Sequence, residues 1–202
     1  MGTTGRILFL ALALVTRALA QNHLQAVPPV AGYGPTFDVS FGYSYLLSAI
    51  PSAGHVNLNG LDASGGVGFR PHWGVAVDSG YVRTADVLGT GHTGYVWTLL
   101  GGPVFYPVER RKARLFVRGL VGAGLVDSAV PVNGSRYLHG WVERPAYGLG
   151  GGIEHSLFRP FGVRLTGDYL RTAYVNPSEV VQLQNNLRVT ASIVFRLRDH
   201  SR

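Results

Sequence analysis

Asn186-Leu187-Arg188-Val189-Thr190-Ala191-Ser192-Ile193-Val194-Phe195 is the stretch on which the fold turns. Leu187, Val189, Ala191, Ile193, Phe195 and Leu197 share one parity and oppose Arg188, Thr190, Ser192 and Arg196. Successive side chains of a strand point to opposite faces, so the segment reads as a strand with one apolar and one polar face. The same rhythm recurs outward from it, at 37–45, 61–69, 73–81, 95–105, 115–125, 147–153 and 161–169. Each segment is about ten residues long, the length a tilted strand needs to cross a membrane. The second face carries Gly, Ser and Thr with isolated charges, where the wet face of a soluble sandwich would be rich in Lys, Glu and Thr. Small residues suit the crowded interior of a narrow barrel, which leaves the apolar face free to meet lipid. The fold class expected is an all-β, eight-stranded antiparallel up-and-down transmembrane β-barrel, preceded by a cleaved signal peptide.

The connections set an orientation. Those at 70–72, 107–112 and 155–160 are short, whereas 46–57, 83–92, 128–141 and 173–184 are longer and polar or rich in Gly and Pro. Short turns in the periplasm and long loops outside is the outer-membrane pattern. That threading puts Tyr45, Tyr81, Tyr95, Tyr147 and Tyr169 at the outer rim. It puts Phe37, Phe69, Trp73, Phe105, Phe161 and Phe195 at the periplasmic rim. Aromatic rings gather where an apolar band meets water, so two belts are expected.

The N-terminus accounts for export. Arg6 precedes an apolar core at 7–15, and Ala18-Leu19-Ala20 is an A-x-A cleavage signal. The core is shorter than the roughly 20 residues a spanning helix needs. The domains expected are a signal peptide at 1–20, cleaved after Ala20, an N-terminal extension at 21–35, a barrel at 36–197 and a tail at 198–202. Loss of Arg6 and Arg17 lowers the formal charge from +7 by two, to +5. Charged residues are only 14% of the chain and cysteine is absent, which excludes disulfide scaffolds and thiolate sites. The arginines do not form a run beyond Arg110-Arg111-Lys112, so the basic balance does not read as nucleic-acid binding.

The chain resembles the small eight-stranded outer-membrane barrels of the OmpA/OmpX-like superfamily, over about residues 36–197. The carriers are the export signal, the strand count, Gly148-Leu149-Gly150-Gly151-Gly152-Ile153-Glu154, the stretch Val163-Arg164-Leu165-Thr166-Gly167-Asp168-Tyr169-Leu170-Arg171-Thr172, and the closing strand quoted above. In that group the last strand ordinarily ends on an aromatic read by the barrel-assembly machinery. Here Phe195 is followed by Arg196-Leu197-Arg198-Asp199-His200-Ser201-Arg202, a departure from the pattern. The resemblance implies outer-membrane localisation. The expected partners are outer-membrane lipid and lipopolysaccharide, with periplasmic chaperones and the assembly machinery during biogenesis, and no nucleic acid.

Inward charge is the feature with chemistry in it. Asp38, Arg114, Arg118, Glu154, Arg164 and Arg196 are expected toward the periplasmic half, and Asp62, Asp78, Asp168 and Arg188 toward the outer half. Glu154 with Arg164, and Asp168 with Arg188, fall at similar heights on neighbouring strands. Unpaired buried charge is costly, so a structural network of ion pairs is expected. Lumen charges that tune a narrow gated pore are the other reading. Glu154-His155-Ser156 hints at ester cleavage, but adjacent strand residues face opposite ways. His23, His55, His72, His92, His139 and His200 lack the spacing of metal ligands. No enzyme activity, cofactor or metal is expected. Asn133-Gly134-Ser135 in the longest loop reads as a turn. Three functions remain open: a non-enzymatic structural or surface-interaction barrel, a narrow gated pore, and a soluble lipocalin-like carrier.

Overall fold

The computed structural model describes residues 36–50, 54–70, 72–110, 112–127, 130–132, 136–138, 141–175 and 181–198. The signal peptide, its cleavage site, the extension at 21–35 and the end of the tail from 199 lie outside them. Among the described residues ten strands form: β1 Thr36–Ile50, β2 Gly54–Arg70, β3 Trp73–Thr84, β4 Gly94–Glu109, β5 Ala113–Asp127, β6 Val130–Val132, β7 Arg136–Leu138, β8 Trp141–Phe158, β9 Phe161–Val175 and β10 Val181–Arg198. Eight of them close a barrel in the order β1-β10-β9-β8-β5-β4-β3-β2, every pairing antiparallel. Closure between β1 and β10 leaves no free edge, so every strand of the wall finds hydrogen-bond partners on both sides.

The alternation read from the sequence is the alternation of faces. Phe37, Val39, Phe41, Tyr43 and Tyr45 are exposed while Asp38, Ser40 and Ser44 are buried. Leu187, Val189, Ile193, Phe195 and Leu197 are exposed while Arg188, Thr190 and Ser192 are buried. The molecule is thus apolar outside and charged inside, the inverse of a soluble domain.

The strands are longer than the alternating segments. The eight barrel strands run from 12 residues in β3 to 18 in β8 and β10. Two of the four expected long loops are mostly strand: β1 and β2 pair from Ile50–Gly54 down, and β9 pairs with β10 from Val175–Val181 down, whereas the chain between Thr84 and Gly94 stays a loop. The loop expected at 128–141 instead carries a short hairpin, β6 against β7; its turn at 133–135 lies outside the described residues. The reason is that ladder pairing needs only a partner, whereas an apolar face is needed only at membrane depth. A strand of 15 residues at about 3.3 Å per residue spans roughly 50 Å, well beyond the roughly 25 Å apolar band of such barrels, even tilted.

At the opposite end the turns are tight. β2 passes to β3 across 71–72, β4 to β5 across 110–112, and β8 to β9 across 159–160. Register shifts fall at this end, between Gly68 and Arg70, Phe105 and Val108, and Ser156 and Phe158. Bulges at a barrel rim end the pairing and turn the chain back.

Candidate functional site

The lumen is filled by layers, and each layer follows from register. In one row across four strands, Arg118 pairs with Gly150, Gly150 with Asp168, and Asp168 with Arg188. Asp168 accepts from Arg118 Nε at 3.0 Å and Nη2 at 2.7 Å, and from Arg188 Nε at 3.1 Å and Nη2 at 2.9 Å. Gly150 makes the first contact possible, because a Cβ there would lie 2.1 Å from Asp168 Oδ1. Arg188 also donates to Asp62 at 3.1 Å. Asp78, fully buried, lies 3.0 Å from Arg118 Nη1 and 2.8 Å from Arg188 Nη2, with the N–H bonds aimed past it.

A second cluster lies nearer the tight turns. Glu154 is its hub, accepting from Arg114 at 3.1 Å, from Arg164 Nε and Nη2 at 3.2 and 2.9 Å, and from Arg196. Asp38, from β1, takes Arg164 at 2.7 Å and Arg114 at 3.4 Å. Arg114 lies 4.1 Å over the Tyr106 ring and Arg164 lies 5.3 Å over Phe116. Stacking a guanidinium on a desolvated ring is worth about 2 kcal/mol or more. Together the two clusters hold five carboxylates and five guanidiniums, so the lumen is neutral.

The expected pairs Glu154–Arg164 and Asp168–Arg188 both stand in direct register. Arg118 stands elsewhere than expected: it belongs with Asp62, Asp78, Asp168 and Arg188, not with the cluster of Glu154. The cause is its row across Gly150 to Asp168, which a height count strand by strand does not capture.

The interior is not limited to small residues and charges. Leu46, Val56, Leu58, Val82, Val96 and Leu100 meet Leu120, Val126, Ala146 and Leu170 in an apolar plug in the outer half. Val104, Tyr106 and Phe116 form a smaller apolar floor. The signal for these residues was present where both parities of a strand are apolar, as in Tyr95-Val96-Trp97 and Leu99-Leu100. Val87 had no such signal, because it comes from the β3–β4 loop. There Leu88, Gly89 and Gly91 take positive φ of 55°, 78° and 72°. The Val87 N–H donates to the His92 carbonyl at 2.9 Å, and Val87 itself, 3% exposed, joins the plug. Two cavities between these lumen side chains measure about 20 and 10 Å³, room for roughly one water each.

The outer wall carries both belts. Tyr81 stacks near Tyr95 at 6.1 Å, and Tyr95 near Trp141 at 6.1 Å. Tyr43, Tyr45 and Tyr169 are exposed and donate to Asn59, Asn57 and Asn185. At the tight-turn end Trp73 packs on Phe105 at 4.9 Å, and Phe161 packs between Phe158 and Phe195, 5.4 Å from each. Glu154 points in and His155 points out, so the triplet at 154–156 assembles no nucleophile and base.

Solved structures share this architecture. Ail, the attachment invasion locus protein of Yersinia pestis, aligns 82% of this chain with 99% of its own at 15% identity and a TM-score of 0.57. Neisserial surface protein A aligns 79% with 96% at 12% identity and a TM-score of 0.60. The N-terminal barrel domain of Pseudomonas aeruginosa OprF aligns 82% with 98% at 13% identity and a TM-score of 0.51. No protein-family description matches the sequence, and no curated protein does. The chain has the fold of the small eight-stranded outer-membrane barrels.

Proposed function

We propose that this chain is an integral outer-membrane barrel that conducts nothing and acts through the surfaces it presents, in a structural or surface-interaction role without catalysis. The observation that carries the reading is the pairing of a filled lumen with an apolar outside. Phe41 is 66% exposed and Leu149 69%, whereas the lumen residues Asp78 and Ser44 are fully buried. A soluble carrier needs the reverse, an apolar hollow inside and polar groups outside. A pore needs a continuous aqueous path, and apolar plug, ionic layers and aromatic floor succeed one another along this one.

The outer ends of the strands carry the interaction role. The strand ends beyond the tyrosine belt, together with the β6–β7 pair, present a surface for a partner. Lipopolysaccharide surrounds the tyrosine belt in this reading, and the barrel-assembly machinery receives β10. Ail, named for attachment, fits a surface role without carrying a ligand over.

The test is conductance in planar bilayers, using protein whose gel mobility shifts on boiling in detergent. Folded protein is expected to stay at the lipid baseline. Discrete openings from folded protein would transfer the assignment to a gated pore. Extraction by urea or carbonate without detergent would remove the membrane reading altogether.

A further inference from the structure

The charges of the described residues divide into three zones, and one of them carries a large positive surplus. The lumen holds equal numbers of carboxylates and guanidiniums. At the outer end Arg83, Arg144, Arg171 and Arg136, which opens β7, stand against Asp86, Asp127 and Glu143, a surplus of one. At the tight-turn end Arg110, Lys112 and Arg159 are all exposed, Arg70 and Arg198 end β2 and β10, and Glu109 is the carboxylate that opposes them among the described residues. The ionic cluster nearest this end leans the same way, with Arg114, Arg164 and Arg196 against Asp38 and Glu154. Its outermost member, Arg196, keeps 24% of its side chain exposed.

The cations sit beside a ring of exposed aromatics. Phe69 is 52% exposed, Trp73 48% and Phe158 66%, each within a few residues of a basic turn or strand end. Aromatic rings fix the depth of a wall at the headgroup level, and long basic side chains reach from there to the headgroups. We infer that the tight-turn end is a collar for anionic phospholipid headgroups of the periplasmic leaflet. The chemistry recognised is a lipid phosphodiester bearing net negative charge, held by Arg110, Lys112 and Arg159. The inference rests on the membrane reading above and on its orientation, with the tight turns in the periplasm. The collar biases the lipids around the barrel and opposes passage of this end through the bilayer.

The probe is spin-labelled phosphatidylglycerol against spin-labelled phosphatidylcholine, each at trace level in phosphatidylcholine vesicles holding the full mature chain. Electron spin resonance reads the fraction of each label immobilised at the protein. Phosphatidylglycerol is expected to be enriched about threefold at low salt, falling toward parity near 1 M, since a basic residue at a surface attracts anionic lipid and salt screens it. Arg110→Gln, Lys112→Gln and Arg159→Gln together are expected to abolish the enrichment. Arg83→Gln, Arg144→Gln and Arg171→Gln together are expected to leave it intact. Equal immobilisation of both lipids by the wild type overturns the collar, as does enrichment lost with the outer triple and kept with the inner one. Gel mobility without boiling is read first on the same vesicles. A chain that never embeds overturns the membrane reading itself, whereas embedded protein without lipid preference overturns the collar alone.

Discussion

The two halves of the lumen solve the same problem with opposite chemistry. Toward the outer end the interior is closed by an apolar plug of Leu and Val side chains with Val87 folded in from its loop. Toward the tight turns it is closed by guanidiniums and carboxylates over an aromatic floor. Apolar filling is tolerant, because any side chain of about the right volume excludes water. Ionic filling is intolerant, because removing one partner strands another charge in low dielectric. The outer half therefore closes the lumen, and the inner half specifies which strands meet.

That contrast is most directly broken at Glu154. Glu154→Gln leaves Arg114, Arg164 and Arg196 sharing a neutral amide, and the expected loss is about 3–5 kcal/mol. Urea unfolding of the vesicle-embedded protein measures it, and a loss under about 1 kcal/mol would remove Glu154 as hub. Leu100→Ala tests the other half. It is expected to lose about 2–4 kcal/mol by the same assay, with conductance unchanged because the ionic layers still fill the bore. Gly150→Ala attacks the seam between the halves. Its methyl would meet the Asp168 carboxylate and, at 2.5 Å, the Gly167 carbonyl oxygen, for a loss of about 1–3 kcal/mol of which Asp168→Ala in the same chain relieves only the carboxylate share. Tyr106→Leu is the mildest change. It keeps the apolar volume and removes the ring under Arg114, so about 1 kcal/mol is expected, with coupling to Arg114→Met in a double-mutant cycle. Equal tolerance of the two halves to such changes would erase the distinction between them.

Much of this was legible in the sequence because a strand reports its two faces at alternate residues. Phe41 outside and Asp38 inside needed nothing more than parity and the absence of any place for a charge in lipid. The belts were legible for the same reason, since the threading of the strands fixes which end holds Tyr45 and which holds Phe37. Strand length was not legible, because pairing above the apolar band leaves no mark in hydropathy. The plug left a fainter mark: where Leu99 and Leu100 are both apolar, parity shows an apolar residue on each face but not that the inward ones join across the lumen. Arg118 was misplaced because height along a strand is local, whereas its partner Asp168 is set by a row crossing three strands. Val87 was out of reach, since its burial depends on the left-handed turn that follows it.

Closure of the wall by β1 and β10 also has a consequence for time. Asp38 comes from the first strand of the barrel and Arg188 and Arg196 from the last, and they share clusters with Arg114 and Arg118 midway along the chain. Until the two end strands meet, Arg114 and Arg164 lack Asp38, and Asp62 lacks Arg188. Neutrality of the interior is therefore a late event, reached only by a finished barrel in correct register. A chain joined one step out of place would turn the alternate residues inward and seal uncompensated charge inside itself. The ion pairs are thus complete only when the β1–β10 seam stands in register.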